Sequence, residues 1–125
     1  RLVPDQDPAR VLELLRAHLD AQGFGDVEVI TSDGEHPSAG DPAHPFVQAA
    51  VRAAEGVYGH RPALVPSMSG TGPAHLLCGQ FGVPMVTAGV GYAGSRGHAP
   101  NGHIRIADFV AGVQYVAALL EALAE

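Results

Sequence analysis

The residue best suited to chemistry in this sequence is His98, which lies in the segment GSRGHAPN. Because Gly97 and Pro100 flank it, His98 is predicted to lie in a loop rather than on the apolar face of a helix or strand. A loop histidine is a solvated side chain, a structural hydrogen-bonding group or a metal ligand, and neutral imidazole suits zinc well. A zinc ion needs about four ligands, yet no HxH, HExxH or His/Asp cluster stands nearby. The pattern makes His98 a candidate ligand without local partners.

A second candidate segment is the SGTG stretch at 69–72, which could offer hydroxyls and backbone N–H groups to an anion or oxyanion. It could equally be an ordinary tight connection. His75 and His103 could face a site, but we expect helix and surface positions for them, and we expect His36 and His44 to be solvated. Neither Gly-rich loop has paired carboxylates, and no GxSxG nucleophile motif is present. A complete acid–base apparatus is therefore absent.

The stretch at 89–94, GVGYAG, matches the GxGxxG pattern of dinucleotide-binding proteins. Such a site needs a helix that begins at the motif, so that its N-terminus meets the pyrophosphate. The residues that follow are SRGHAPNGH, which predict no helix. No acidic residue ends a following strand about 20 residues on. We therefore interpret the match as fortuitous.

The elements that would position these loops alternate between helix and strand. Asp7-Pro8 predicts the start of a helix that ends near Gly23. Further helices are predicted over 45–58, over 73–81 and from 106 onward, strands over 27–31, 63–65 and 83–88, and a linker over 33–45. This order indicates a layered α/β fold. The Gly-rich loops follow two of the strands, where ligands bind in open α/β sheets.

Composition excludes several classes of protein. The 125 residues are 46% hydrophobic and 16% charged, which is typical of one globular domain. A net charge of −6 without a basic run makes nucleic acid and anionic membrane poor partners. We expect no apolar stretch to approach the roughly 20 residues of a membrane span. A single cysteine, Cys78, rules out an internal disulfide, and a cytoplasmic location is the expectation.

The string PMVTAGVGYAGSRGHAPNGHIRIADFVAGVQYVAALL resembles the C-terminal end of peptidase family M-twenty, the ArgE/DapE/aminoacylase/carnosinase superfamily that also includes carboxypeptidase G-like enzymes. The family pattern there is a strand, a Gly-rich turn, H-[AS]-x-N-E and a long final helix. Upstream, SMSGTGPAHLL resembles the family's GGT/S-x-P loop, and RLVPDQDPARVLELLRAHL resembles the close of its inserted domain. The resemblance covers essentially the whole chain in the right order.

The resemblance implies the C-terminal part of an αβα-layered zinc-peptidase catalytic domain. It also implies that residues 1–32 end a ferredoxin-like lid or dimerisation domain, that 33–45 form a linker and that 46–125 belong to the catalytic domain. His98 matches the family's last metal-binding histidine. Gly70, Thr71 and Gly72 match a substrate-binding loop, and Asn101 matches the Asn beside that histidine.

The implied activity is hydrolysis of an amide or peptide bond in a dipeptide or an N-acyl amino acid. Two Zn²⁺ ions per full-length subunit are expected, with Co²⁺ or Mn²⁺ as alternatives, and a homodimer is expected. The remaining ligands and the Glu general base would come from an N-terminal half, so this chain alone is expected to be inactive and to expose apolar surface.

Two features depart from the family pattern. Gly102 stands where the family has Glu, and no Arg precedes the 69–72 loop, although Arg96 could replace it. The alternative is therefore a non-catalytic α/β module for binding or oligomerisation that has lost a complete metal site.

Overall fold

The computed structural model describes residues 1–32, 34–68, 70 and 72–124. Their helices are α1 (Pro8–Ala21), α2 (Pro45–Tyr58), α3 (Ala74–Leu77) and α4 (Ile106–Ala124), with a 3-10 turn at Gly79–Phe81. The helices predicted to begin at Asp7-Pro8, to span 45–58 and to run onward from 106 are confirmed. The helix predicted over 73–81 is divided, since α3 ends at Leu77 and the 3-10 turn follows Cys78.

Local hydrogen bonds explain where the long helices begin and end. Asp7 accepts the backbone N–H of Arg10 at 2.8 Å and caps α1, as its sequence position predicted. The Nδ1 atom of His44 accepts the N–H of Phe46 at 3.2 Å and caps α2. His44 lies in the segment before α2, as expected, but its half-buried side chain caps the helix, so the expectation of a solvated side chain is wrong. Gly59 ends α2 with a φ of 73°, a conformation that glycine adopts without steric cost.

The strands predicted over 27–31, 63–65 and 83–88 are not formed. Within the described ranges these segments lie outside any regular element. A strand is defined by hydrogen bonds to a neighbouring strand, and apolar or alternating residues do not supply that neighbour. The described residues thus contain the helices of a layered α/β fold without a paired sheet.

The chain divides into two compact units. The first combines residues 1–40 with 65–83, and the second combines 41–64 with 84–125. In the second unit α2 packs on α4 around Ala53, Ala54 and Tyr115. Burial raises the pKa of the Tyr115 phenol, with a smaller contribution from Tyr58, so the phenol stays neutral in this core. The predicted boundaries at 32 and 45 stay predictions.

Helix α4 is apolar on more than the side that meets α2. Its Gly112 and Tyr115 are buried, but a row at helical spacing is exposed: Ile106, Phe109, Val113, Val116, Leu120 and Leu123. The expectation of exposed apolar surface is confirmed for this helix. With 19 residues and a mean hydropathy of 1.6, α4 also has the length and composition of a membrane span. The expectation that no stretch approaches that length is therefore wrong, although these two properties alone are weak grounds for a span.

Candidate metal-binding loop

His98 lies in a loop of the second unit, residues 92–103, that is closed by hydrogen bonds near its ends. The N–H of Ser95 donates to the carbonyl of Tyr92 at 2.9 Å, and the Ser95 hydroxyl accepts the N–H of Tyr92 at 2.8 Å. The N–H of His103 donates to the Ser95 carbonyl at 3.0 Å. Inside the loop, the N–H of Ala99 donates to the carbonyl of Arg96 at 3.0 Å. The segment predicted as a Gly-rich loop therefore forms a series of hydrogen-bonded turns.

The loop concentrates an uncommon backbone conformation. Arg96, His98 and Asn101 have φ values of 52°, 60° and 61°, and among the described non-glycine residues only Asp5 shares this left-handed region. The conformation is costly for residues with a Cβ, although His and Asn tolerate it better than most. Such residues cluster at functional sites, where the surrounding structure holds them in place.

The His98 imidazole is exposed, and no hydrogen bond or ion pair joins it to another described residue. His44 and His103 differ, because hydrogen bonds occupy Nδ1 of His44 and both ring nitrogens of His103. A ring with no partner inside the described part of the chain keeps both nitrogens available to a metal ion or to solvent. An exposed imidazole without a protein partner fits both a metal ligand and the solvated side chain considered in the sequence analysis.

A polar network at the end of the loop was not anticipated from the sequence. The Tyr92 hydroxyl lies 2.9 Å from Nε2 of His103, and Nδ1 of His103 lies 3.0 Å from the Asn101 carbonyl oxygen. The Arg105 guanidinium lies 4.3 Å from the centre of the Tyr92 ring. It also forms a two-point ion pair with Asp108, at 2.6 and 2.9 Å, whose hydrogen bonds raise the pKa of Arg105. In the sequence, the one feature that could have indicated this network is the tyrosine inside a Gly-rich loop.

The predicted substrate-binding residues fall in both units. Asn101 belongs to the His98 loop and is exposed. Gly70 and Gly72 are exposed in the first unit, where a Cβ at Gly72 would meet no atom within 4 Å. Thr71 lies outside the described residues. Open space around Gly72 leaves its backbone accessible to a ligand.

The described residues supply only a share of a metal site. No group of three or more His, Cys, Asp or Glu side chains converges among them. His98 fits zinc by its chemistry, since it is an exposed imidazole with free nitrogens. One such ligand does not hold a metal ion by itself.

The GxGxxG match at 89–94 has no helix after it. Two turns follow at 93–95 and 97–101, and the next helix is α4, which begins at Ile106. Without a helix N-terminus at the motif, the backbone geometry that binds a pyrophosphate is missing. That the match is fortuitous stays a prediction.

Comparisons with known proteins define the class. The family model described as Peptidase family M20/M25/M40 matches residues 25–122. An M20 family metallo-carboxypeptidase from Sulfolobus solfataricus, Sso-CP2, is 34% identical over 98% of this chain and superposes with a TM-score of 0.87. The dipeptidase Dug1p from Saccharomyces cerevisiae is 26% identical over 98% of the chain, with a TM-score of 0.74. No curated protein sequence matches the chain.

The chain therefore belongs to peptidase family M20, as the resemblance indicated, and its fold is that of an α/β metallopeptidase domain. It spans 28% of the length of the Sulfolobus structure and 26% of that of Dug1p. Membership implies divalent metal ions and action on small peptides for the family as a whole.

Proposed function

We propose that this chain is part of a metal-dependent hydrolase that cleaves an amide or peptide bond in a dipeptide or an N-acyl amino acid. The observation that carries the proposal is the state of His98, an exposed imidazole without a partner among the described residues, inside a closed loop of unusual backbone conformation. Membership of family M20 and the likeness to a carboxypeptidase and a dipeptidase support the reaction class.

In this proposal His98 donates one ring nitrogen to a pair of Zn²⁺ ions, which Co²⁺ or Mn²⁺ could replace. The bound ions would polarise the scissile carbonyl and activate a bridging water. Asn101 and the backbone of Gly70, Thr71 and Gly72 would contact the substrate. The other ligands and the general base would come from parts of the protein outside this chain, so the chain alone would be inactive.

The proposal includes a domain organisation. Residues 1–32 would end a ferredoxin-like lid or dimerisation domain, 33–45 would link, and 46–125 would complete an αβα catalytic domain. The protein would be a cytoplasmic homodimer. The segments predicted as strands would pair with other strands of the full-length protein. Pairing would then satisfy their backbone N–H and C=O groups.

Replacing His98 with Asn tests the metal site. Asn tolerates the left-handed backbone at φ 60° but lacks the imidazole, so the loop keeps its conformation and loses the ligand. Titrating zinc into the full-length protein by calorimetry should show two tight sites per subunit. In His98→Asn at least one site should weaken by about 100-fold or more, and dipeptide hydrolysis should fall with it.

The matched control is His60→Asn, which changes another exposed histidine, whose Nδ1 lies 3.5 Å from the Arg61 carbonyl oxygen. It should retain wild-type zinc binding and activity. Unchanged zinc affinity in His98→Asn would overturn the proposed role of His98.

Gly102 favours a second function, a non-catalytic α/β binding or oligomerisation module. A Cβ at position 102 would lie 3.3 Å from the Arg96 carbonyl oxygen and 3.5 Å from that of Ala99, so the tight loop leaves little room for a larger side chain. The carboxylate that the resemblance leads one to expect there is missing. Full-length protein that binds no zinc and hydrolyses neither dipeptides nor N-acyl amino acids would establish this alternative.

A further inference from the structure

We propose that Tyr92 and His103 form a clasp that positions His98 for metal binding, and that neither residue binds the metal itself. The clasp is the hydrogen bond between the Tyr92 hydroxyl and Nε2 of His103, which joins two residues eleven positions apart. It rests on the proposed function, since it assigns a purpose to the conformation of the loop that carries His98.

The hydrogen bonds of the clasp determine which atoms carry protons. A backbone carbonyl only accepts, so the 3.0 Å contact to the Asn101 oxygen requires a proton on Nδ1 of His103. In the neutral ring, Nε2 is then the acceptor and the Tyr92 hydroxyl donates to it at 2.9 Å. His103 thereby connects the Tyr92 ring to the backbone at Asn101. The same residue pair cannot ligate a metal through these nitrogens without breaking the clasp.

The clasp is anchored outside the loop. The Tyr92 and His103 rings meet edge to face with centroids 5.8 Å apart, and the Arg105 guanidinium covers the Tyr92 ring at 4.3 Å. Arg105 is held in turn by Asp108 in the first turn of α4. A chain of contacts therefore runs from a long helix to the loop.

The loop between the clasped residues needs such support. Arg96, His98 and Asn101 all have positive φ, a conformation that persists in non-glycine residues only when the surroundings hold it. Both loop ends also bond to Ser95, but through contacts that span at most eight residues. Among the described residues, the hydrogen bond between Tyr92 and His103 is the side-chain contact that joins the two ends of the segment. All three residues with positive φ lie between those ends.

The test uses the full-length protein with Tyr92→Phe, which removes the hydroxyl and keeps the ring against Arg105. Zinc affinity should fall about tenfold, the effect typical of groups that orient a metal ligand. Hydrogen exchange of peptides covering 93–102 should accelerate in the metal-free protein, while exchange in α2 and the melting temperature stay at wild-type values. Tyr58→Phe, which removes a hydroxyl outside the loop, should change none of these.

His103 provides the rescue. His103→Leu should reproduce the Tyr92→Phe effect, whereas His103→Gln should recover most of the zinc affinity, because its amide can accept from Tyr92 and donate to a carbonyl. A purely structural role would lower the melting temperature without a selective loss of zinc affinity, and that pattern would overturn the proposal.

The outcome of His98→Asn separates the two hypotheses. If His98→Asn loses zinc but Tyr92→Phe keeps wild-type affinity and loop exchange, the clasp is overturned and the proposed function stands. If His98→Asn keeps wild-type zinc affinity, the proposed metal-binding role of His98 fails, and the positioning role of the clasp fails with it.

Discussion

At the scale of single residues, the loop that carries the candidate ligand His98 has backbone conformations that its residue types tolerate rather than prefer. His98 and Asn101 have φ values of 60° and 61°, and both residue types are enriched in this region. Each strained residue costs of the order of 1–3 kcal/mol, which the turns around Ser95 and Ala99 must offset. The side chains of the loop are thus exposed to ligands while its backbone is restrained.

Asn101 can be tested without disturbing that backbone. Asn101→Gly keeps the left-handed conformation and the carbonyl that accepts from His103, but removes the side-chain amide. If the amide contacts substrate in the full-length enzyme, KM should rise about fivefold with kcat nearly unchanged, the result of losing one hydrogen bond of roughly 1 kcal/mol. Asn101→Ala, which adds backbone strain, should also weaken zinc binding. Wild-type kinetics in Asn101→Gly would show that the amide does not bind substrate.

At the scale of elements, the helices follow from local signals while their packing does not. The helix ends are marked by local features: side-chain caps at Asp7 and His44-Pro45, and a left-handed glycine at Gly59. Each of these features involves residues close in sequence. Gly112 in α4 has a different purpose. A Cβ there would overlap the Cγ1 atom of Val90, so glycine at this position lets Val90 approach the helix.

Two helical glycines should therefore respond oppositely to alanine. A Cβ added at Gly56 in α2 would meet no atom within 4 Å beyond the backbone of its own helix, so Gly56→Ala should stabilise the protein by about 0.5–1 kcal/mol. Gly112→Ala should destabilise it by about 1–2 kcal/mol, because overpacking against a branched side chain exceeds the gain in helix propensity. Urea unfolding measures both.

The Gly112 effect has its own control. Adding Val90→Ala to Gly112→Ala removes the overlapping methyl groups, so the double variant should be less destabilised than the sum of the two single changes. Additive losses would mean that the close approach of Val90 is not the reason for glycine at 112.

At the scale of the whole molecule, the exposed side of α4 is the main feature that the described residues leave unexplained by internal packing. Ile106 is 83% exposed and Leu120 is 64% exposed, although side chains of this size gain roughly 1.5–3 kcal/mol each from burial. Contiguous apolar surface of this kind favours association in water.

The 125-residue chain by itself should therefore associate and bind an apolar dye. Val113→Glu with Leu120→Glu should reduce both dye fluorescence and the mass measured by sedimentation, because two charges interrupt the exposed row. Glu121→Gln, an exposed change on the same helix that adds no charge to the apolar row, is the control and should have little effect. A monomer without dye binding would contradict the prediction.

The long helices, the family and the candidate metal ligand could be predicted from short-range sequence patterns. Capping residues and apolar periodicity predicted α1, α2 and α4, because a helix satisfies its hydrogen bonds within one segment. The motif order predicted family M20 and selected His98, since the loop histidine and its Gly and Pro neighbours are adjacent in the chain. Strands were predicted where no paired strand exists among the described residues, because pairing depends on segments distant in sequence.

Tertiary structure decided what surrounds the candidate ligand. Folding brings together the residues of the Tyr92–His103 hydrogen bond and the Arg105 contact, and it sets the left-handed conformations of the loop. No periodic sequence pattern predicts these features. The capping role of His44 likewise required a side-chain geometry that its residue type does not specify. The sequence selected the candidate metal ligand, and folding determined how its loop is held, because strain and side-chain contacts depend on three-dimensional neighbours.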